Sequence, residues 1–98
     1  MIRWSKRGKL RRKQCVQHIA QESGDWPTAW KWEDEVFEAV AHLEEFPLSG
    51  GIAREFGRND IRQILLGDYR IIYRLKHNIP EIISIRNVRF LVHSSRSL

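Results

Sequence analysis

Between Ile61 and Lys76 the chain alternates apolar and polar side chains on either side of Gly67-Asp68, and a two-residue loop leaves it one way to fold back. Glycine in the first loop position suits a primed turn, whose twist matches that of the flanking strands. Loop length then sets the register: Leu66 faces Tyr69, Ile64 faces Ile71 and Arg62 faces Tyr73. Alternate residues share a face, so Ile64, Leu66, Tyr69, Ile71, Tyr73 and Leu75 make a core side. The reverse side carries Arg70, Arg74 and Lys76 around Ile61, Leu65 and Ile72.

Upstream the texture is helical. Ala29, Trp32, Val36, Phe37, Val40, Leu43 and Phe46 recur at three- and four-residue steps with acids between them, which predicts an amphipathic helix ending at Phe46-Pro47. An earlier helix is expected from Lys6 to about Glu22, on the incomplete stripe Leu10, Val16, Ile19 and Ala20, with Gly8 weakening its start. Gly24 closes it, and Asp25 or a neighbour caps the next, with Pro27 in its first turn. Trp26 and Trp30 fall near that turn and read as partly exposed anchors. Met1 to Ser5 fits a first strand, Ile52 to Arg54 a short one, and Glu81 to about Arg86 a last one after a turn at His77-Asn78-Ile79-Pro80. The expected fold is α+β, ordered β-α-α-β-β-β with one further strand, an antiparallel sheet with a two-helix hairpin on one face. Ninety-eight residues make one domain, 1–98, with 90–98 as a tail.

The charges are segregated. Residues 1–13 hold seven basic groups and no acids, residues 22–45 eight acids and one lysine, and residues from 54 onward nine basic groups against four acids. The first helix is expected beside the second, partly neutralising it, which leaves a basic surplus on the carboxy-terminal strands for an acidic macromolecule. A lone cysteine, Cys15, allows no internal disulfide or Cys-based zinc site. His18, His42, His77 and His93 are too far apart for a local ligand pair, so neither metal nor cofactor is expected. No apolar run nears the ~20 residues of a membrane span, and a cytoplasmic location follows. The arginines Arg62, Arg70, Arg74, Arg86 and Arg89 remain, a residue type suited to planar contact with phosphate or carboxylate.

Several segments together resemble the RelE/ParE superfamily, the toxin halves of type II toxin–antitoxin pairs. They are Trp4-Ser5, Val16-Gln17-His18-Ile19-Ala20, Ala29 two residues after Pro27, and Leu43-Glu44-Glu45-Phe46-Pro47-Leu48-Ser49-Gly50. Arg62 followed by Gly67-Asp68-Tyr69-Arg70-Ile71-Ile72-Tyr73-Arg74 is the most specific, and Ile85-Arg86-Asn87-Val88-Arg89 stands where ParE-like members often show a histidine at the place of Asn87. The resemblance implies a toxin held silent in a hetero-oligomer by a cognate antitoxin, through an acidic or amphipathic wrapping segment. It implies one of two targets: DNA gyrase, poisoned through a binding surface, or ribosome-bound mRNA, cut by a RelE-like nuclease. In the nuclease reading Arg70, Arg89 and His93 are the catalytic candidates. However, the lysine pair such nucleases carry before the hairpin is missing, and no tyrosine follows Tyr73. The gyrase reading is therefore preferred, with Arg70, Arg74, Arg86, Asn87, Arg89 and Phe90 meeting target or antitoxin, and Arg62, Tyr69 and Tyr73 structural. A plain nucleic-acid-binding module using the basic first helix is a third reading.

Overall fold

The hairpin around Gly67-Asp68 forms in the register its loop length dictates, with Gly67 at φ 57°. The computed structural model describes residues 1–88. In chain order these form β1 (Arg3–Trp4), α1 (Lys6–Ser23), α2 (Trp26–Glu45), β2 (Gly51–Ile52), a 3-10 turn (Arg54–Phe56), β3 (Ile61–Leu66), β4 (Tyr69–Lys76) and β5 (Ile79–Asn87). The five strands lie in the order β1-β5-β4-β3-β2. The four strands after the helices are antiparallel as expected, and β1, parallel to β5, makes the sheet mixed. β1 leads into the helix pair instead of a tight turn, and a long connection leaves it free to lie parallel to β5.

Ser5 starts α1. Its hydroxyl accepts from the Gly8 amide at 2.9 Å and donates to the Ile82 carbonyl at 3.0 Å, capping the helix and tying it to β5. Gly8 sits where α1 crosses that strand, and any Cβ there would collide with the Ile82 carbonyl oxygen. The glycine that weakens the helix locally is thus what lets it approach the sheet. Gly24 ends α1 in the left-handed conformation at φ 66°.

Ala29, Trp32, Val36, Val40 and Leu43 bury the inner stripe of α2 against Tyr69, Ile71, Tyr73, Ile82 and Ile85. Full burial of each such aliphatic side chain is worth about 1.5–3 kcal/mol. Phe37 and Phe46, expected in the core, stand at the margins of the stripe and stay exposed. Phe37 instead packs edge-on against Trp4 at 6.1 Å, with the Arg12 guanidinium 4.5 Å from Trp4 and 4.9 Å from Phe37. Arg12 also pairs with Glu33 at 3.2 Å, bridging the basic and acidic helices.

Two local expectations change. The turn before β5 is His77-Asn78 alone, both left-handed at φ 54° and 62°, and Pro80 lies buried inside the strand. Pro80 is tolerated because it faces Leu75, whose amide bonds to Asp60 on the other side; the pair exchanges no hydrogen bonds, so the missing N–H is not needed there. The extra short strand is Gly51–Ile52, and Arg54–Phe56 curls into the 3-10 turn that lies over the reverse face. There Ala53, Ile61 and Ile72 form a second buried cluster with Phe56 and Ile83 against it. A bulge at Ile83 interrupts the β4–β5 ladder, so Ile72 faces Ser84 while Tyr73 faces Ile82. The shift lets Ile82 and Ile85, three residues apart, both enter the helix-side core.

Candidate functional site

Arg70, Arg74 and Arg86 gather on the reverse face, but most of their charge is already matched. Arg70 and Arg86 stand directly opposite each other, a repulsive pair on its own. Glu55 from the 3-10 turn answers it, accepting from Arg70 Nη2 at 2.7 Å, while Arg70 Nε donates to Gln63 Oε1 at 2.5 Å. The hydrogen bond from Arg70, with the charges of Arg70 and Arg86, holds the Glu55 carboxyl below its ordinary range. Arg74 pairs with Glu81, its cross-strand neighbour, at 2.7 Å. Arg86 lies over the Phe56 ring at 5.8 Å. Leu65, facing Arg70 in the register, is the most exposed large apolar side chain of the strands at 68 %.

Arg62 and Tyr73 lie on the other face and clasp the loop after α2. The fully buried Tyr73 hydroxyl donates to the Pro47 carbonyl at 2.8 Å and accepts from the Gly50 amide at 3.0 Å. Arg62 Nη1 donates to the carbonyls of Gly50 at 2.9 Å and Leu48 at 3.3 Å. A Cβ on Gly50 would lie 2.5 Å from the Tyr73 oxygen and 2.7 Å from the Gln63 carbonyl, so no side chain fits. These contacts join the helix end to β3 and β4 without offering a reactive group.

A cleft of about 630 Å³ opens between α1 and the ends of β4 and β5. Arg7, Arg11, Gln14, Cys15 and His18 line it from the helix, and Tyr69, Arg86 and Asn87 from the strands. Arg11 is fixed in place: Nε donates to the Ile85 carbonyl at 3.1 Å and Nη1 to Gln14 Oε1 at 2.7 Å. Tyr69 hydrogen-bonds with Asn87, and its ring tilts against Trp32 at 4.9 Å. Burial pushes the Tyr69 hydroxyl up, and burial pushes the Cys15 thiol up more than the Arg11 charge lowers it. A thiol so shifted stays protonated at neutral pH and is a poor nucleophile. The arrangement suits anion binding better than covalent chemistry.

The expected site residues therefore divide. Arg70, Arg74 and Arg86 share the reverse face, Arg86 with Tyr69 and Asn87 also borders the cleft, and Arg62 and Tyr73 belong to the clasp. Arg89, Phe90, His93 and the 90–98 tail lie outside the described residues. Sequence reasoning missed the part of α1 that turns Arg7 and Arg11 toward the strands. The basic run 1–13 was the available signal, but it could not say which cations face the sheet. Among the described residues no cluster of potential metal ligands occurs, and no helix is long and apolar enough to cross a membrane.

The fold is thus an α+β one, a mixed sheet carrying a helix hairpin on one face and paired arginines on the other. The family model for the ParE toxin of the type II toxin–antitoxin system, parDE, matches residues 2–90, and the chain belongs to that family. It is thus a type II toxin, and membership implies a cognate antitoxin. No curated protein matches the sequence.

Proposed function

We propose that the toxin acts in the cytoplasm by binding and inhibiting DNA gyrase, and that its antitoxin neutralises it in a hetero-oligomer. The observation that supports this reading is the neutralisation of the reverse face. Arg70 is committed to Glu55 and Gln63, and Arg74 to Glu81. A phosphodiester-cleaving site needs uncompensated cations aimed at the developing charge, each worth about 3–4 kcal/mol to the transition state. Carboxylates seated on those arginines work against that, and β3 brings no lysine to replace them. A protein-binding surface has other needs, an apolar anchor within a rim of charge. Leu65, with the Arg70–Glu55 and Arg74–Glu81 pairs on the same face, supplies both.

The deciding experiment measures gyrase supercoiling and translation-dependent mRNA cleavage side by side on antitoxin-free protein. Inhibition of supercoiling without RNA cleavage is expected, with Leu65→Glu abolishing it. Cleavage of message with gyrase untouched would overturn the reading in favour of a RelE-like nuclease.

A further inference from the structure

The outer face of the helix hairpin, turned away from the sheet, carries an apolar stripe with a row of one charge on each side. Trp26, Trp30, Glu33 and Phe37 follow one another at four-, three- and four-residue steps, so they share a stripe along α2. Arg12 of α1 reaches both Glu33 and Phe37, which puts that stripe on the seam between the helices. Yet Trp26, Trp30 and Phe37 are exposed at 50, 56 and 43 %, and the two tryptophan rings lie 6.2 Å apart. Beside the seam α1 presents Lys6, Lys9 and Lys13, and α2 presents Asp34, Glu38 and Glu45, all exposed and without an ion pair among the described residues. We propose that this face pairs with the same face of a second copy of the toxin, forming a symmetric dimer with a four-helix interface. The inference goes beyond the gyrase reading and does not rest on it, since Leu65 and its charged rim lie on the other side of the sheet.

The charges select the occupant. A polyanion is repelled by the α2 row and a polycation by the α1 row, so the face suits a partner that carries both signs, and the chain itself is one. A two-fold axis then decides whether the copies match. An axis across the helices would lay the lysine row on its own copy and the acids on theirs, which is repulsive. An axis along the seam lays α1 of one copy over α2 of the other, so lysines meet acids. The rows also agree in level. The helices run antiparallel and Arg12 pairs with Glu33. At a rise of about 1.5 Å per residue, Lys13 then stands within about 3 Å of the level of Asp34, and Lys9 within about 3 Å of that of Glu38. The same axis brings the tryptophan stripe of each copy onto its counterpart, an apolar centre inside a rim of charge. Helices of 18 and 20 residues, lying about 10 Å apart, offer a patch roughly 30 Å by 20 Å, close to the ~800 Å² per partner of a standard interface once side-chain relief is counted.

Sedimentation equilibrium on the full-length, antitoxin-free toxin reads the assembly. The wild type is expected to dimerise, more weakly as salt rises. Trp30→Ser removes an exposed side chain at two symmetric places and should weaken the dimer at least about 30-fold with an unchanged melting temperature. K9E/K13E and D34K/E38K should each weaken it at least about tenfold. Combining them in one chain exchanges the rows and should restore association to within about threefold of the wild type. The rescue reads the axis, because an axis across the helices would set like charges together before and after the exchange. A wild type that stays monomeric up to about 0.5 mM, a dimer indifferent to Trp30→Ser, or an exchange without rescue would overturn the proposal. So would a monomeric wild type whose antitoxin affinity falls in these variants, which would give the face to the antitoxin. Supercoiling is assayed on the same samples, and a dimer that spares gyrase would remove the gyrase reading and leave this inference standing.

Discussion

Ile71 and Ile72 are neighbours in β4, both fully buried, and they look out on opposite sides of the sheet. Ile71 meets two helices and a core that continues through Val36, Leu43 and Ile85. Ile72 meets a roof made by Ala53 and Phe56 from the β2–β3 connection. The helix side is organised by close packing and by the Tyr73–Arg62 clasp. The reverse side is organised by paired charges around a three-residue cluster. One face is held by a continuous apolar core and the other by a small cluster and ion pairs.

The sharpest way to break that contrast is to hollow both faces equally. Ile71→Ala is expected to cost about 4–5 kcal/mol and Ile72→Ala only about 2–3, since a loop roof collapses into a void more readily than packed helices. Denaturant unfolding reads both, and equal losses would erase the distinction. Next comes Gly8→Ala, expected to cost about 2–3 kcal/mol by forcing α1 off β5. Gly51→Ala, with open space around it, serves as the near-neutral control in the same assay.

The faces should also titrate at opposite ends of the pH scale. Burial raises Tyr69 and Tyr73 above their ordinary 10.0, so the stability they contribute is complete below that value and is lost as pH rises through the folded-state values. Tyr73→Phe, costing about 1–1.5 kcal/mol at neutral pH, should blunt the alkaline loss in melts followed by circular dichroism. Glu55 is lowered from 4.5, so its contribution is present above 4.5 and lost as pH falls through its folded value. The smallest effect belongs to Glu55→Gln, below about 1 kcal/mol because the pair is half exposed. An acid transition unchanged in that variant would show that the pair contributes nothing to stability.

Legibility followed the range of the physics. The β3–β4 hairpin was readable because loop length and side-chain alternation are local, and its register came with them. The inner stripe of α2 was readable for the same reason, but periodicity could not say where the stripe's margin falls, so Phe37 and Phe46 were placed inside. Proline dominated the reading of 77–80, while the turn rests on left-handed His77 and Asn78, a demand histidine does not advertise. Gly8 looked like a local defect because its reason, Ile82, lies far along the chain. Among the candidate site residues, the arginines of β4 and β5 were visible by alternation. Their carboxylate partner Glu55 was not, since it arrives from an irregular connection. Nor could the cleft be foreseen, because it depends on how α1 is rotated over β5.

The added residue at Ile83 also sets the direction of the main-chain oxygens. In an unbroken strand, carbonyls three positions apart point to opposite borders. Ile82 and Ile85 instead both accept bonds from the side of α1, through Ser5 at one end and Arg11 at the other. The helix is moored twice along a single gunwale, and deleting Ile83 would cast off one rope while leaving the sequence of both attachment points intact.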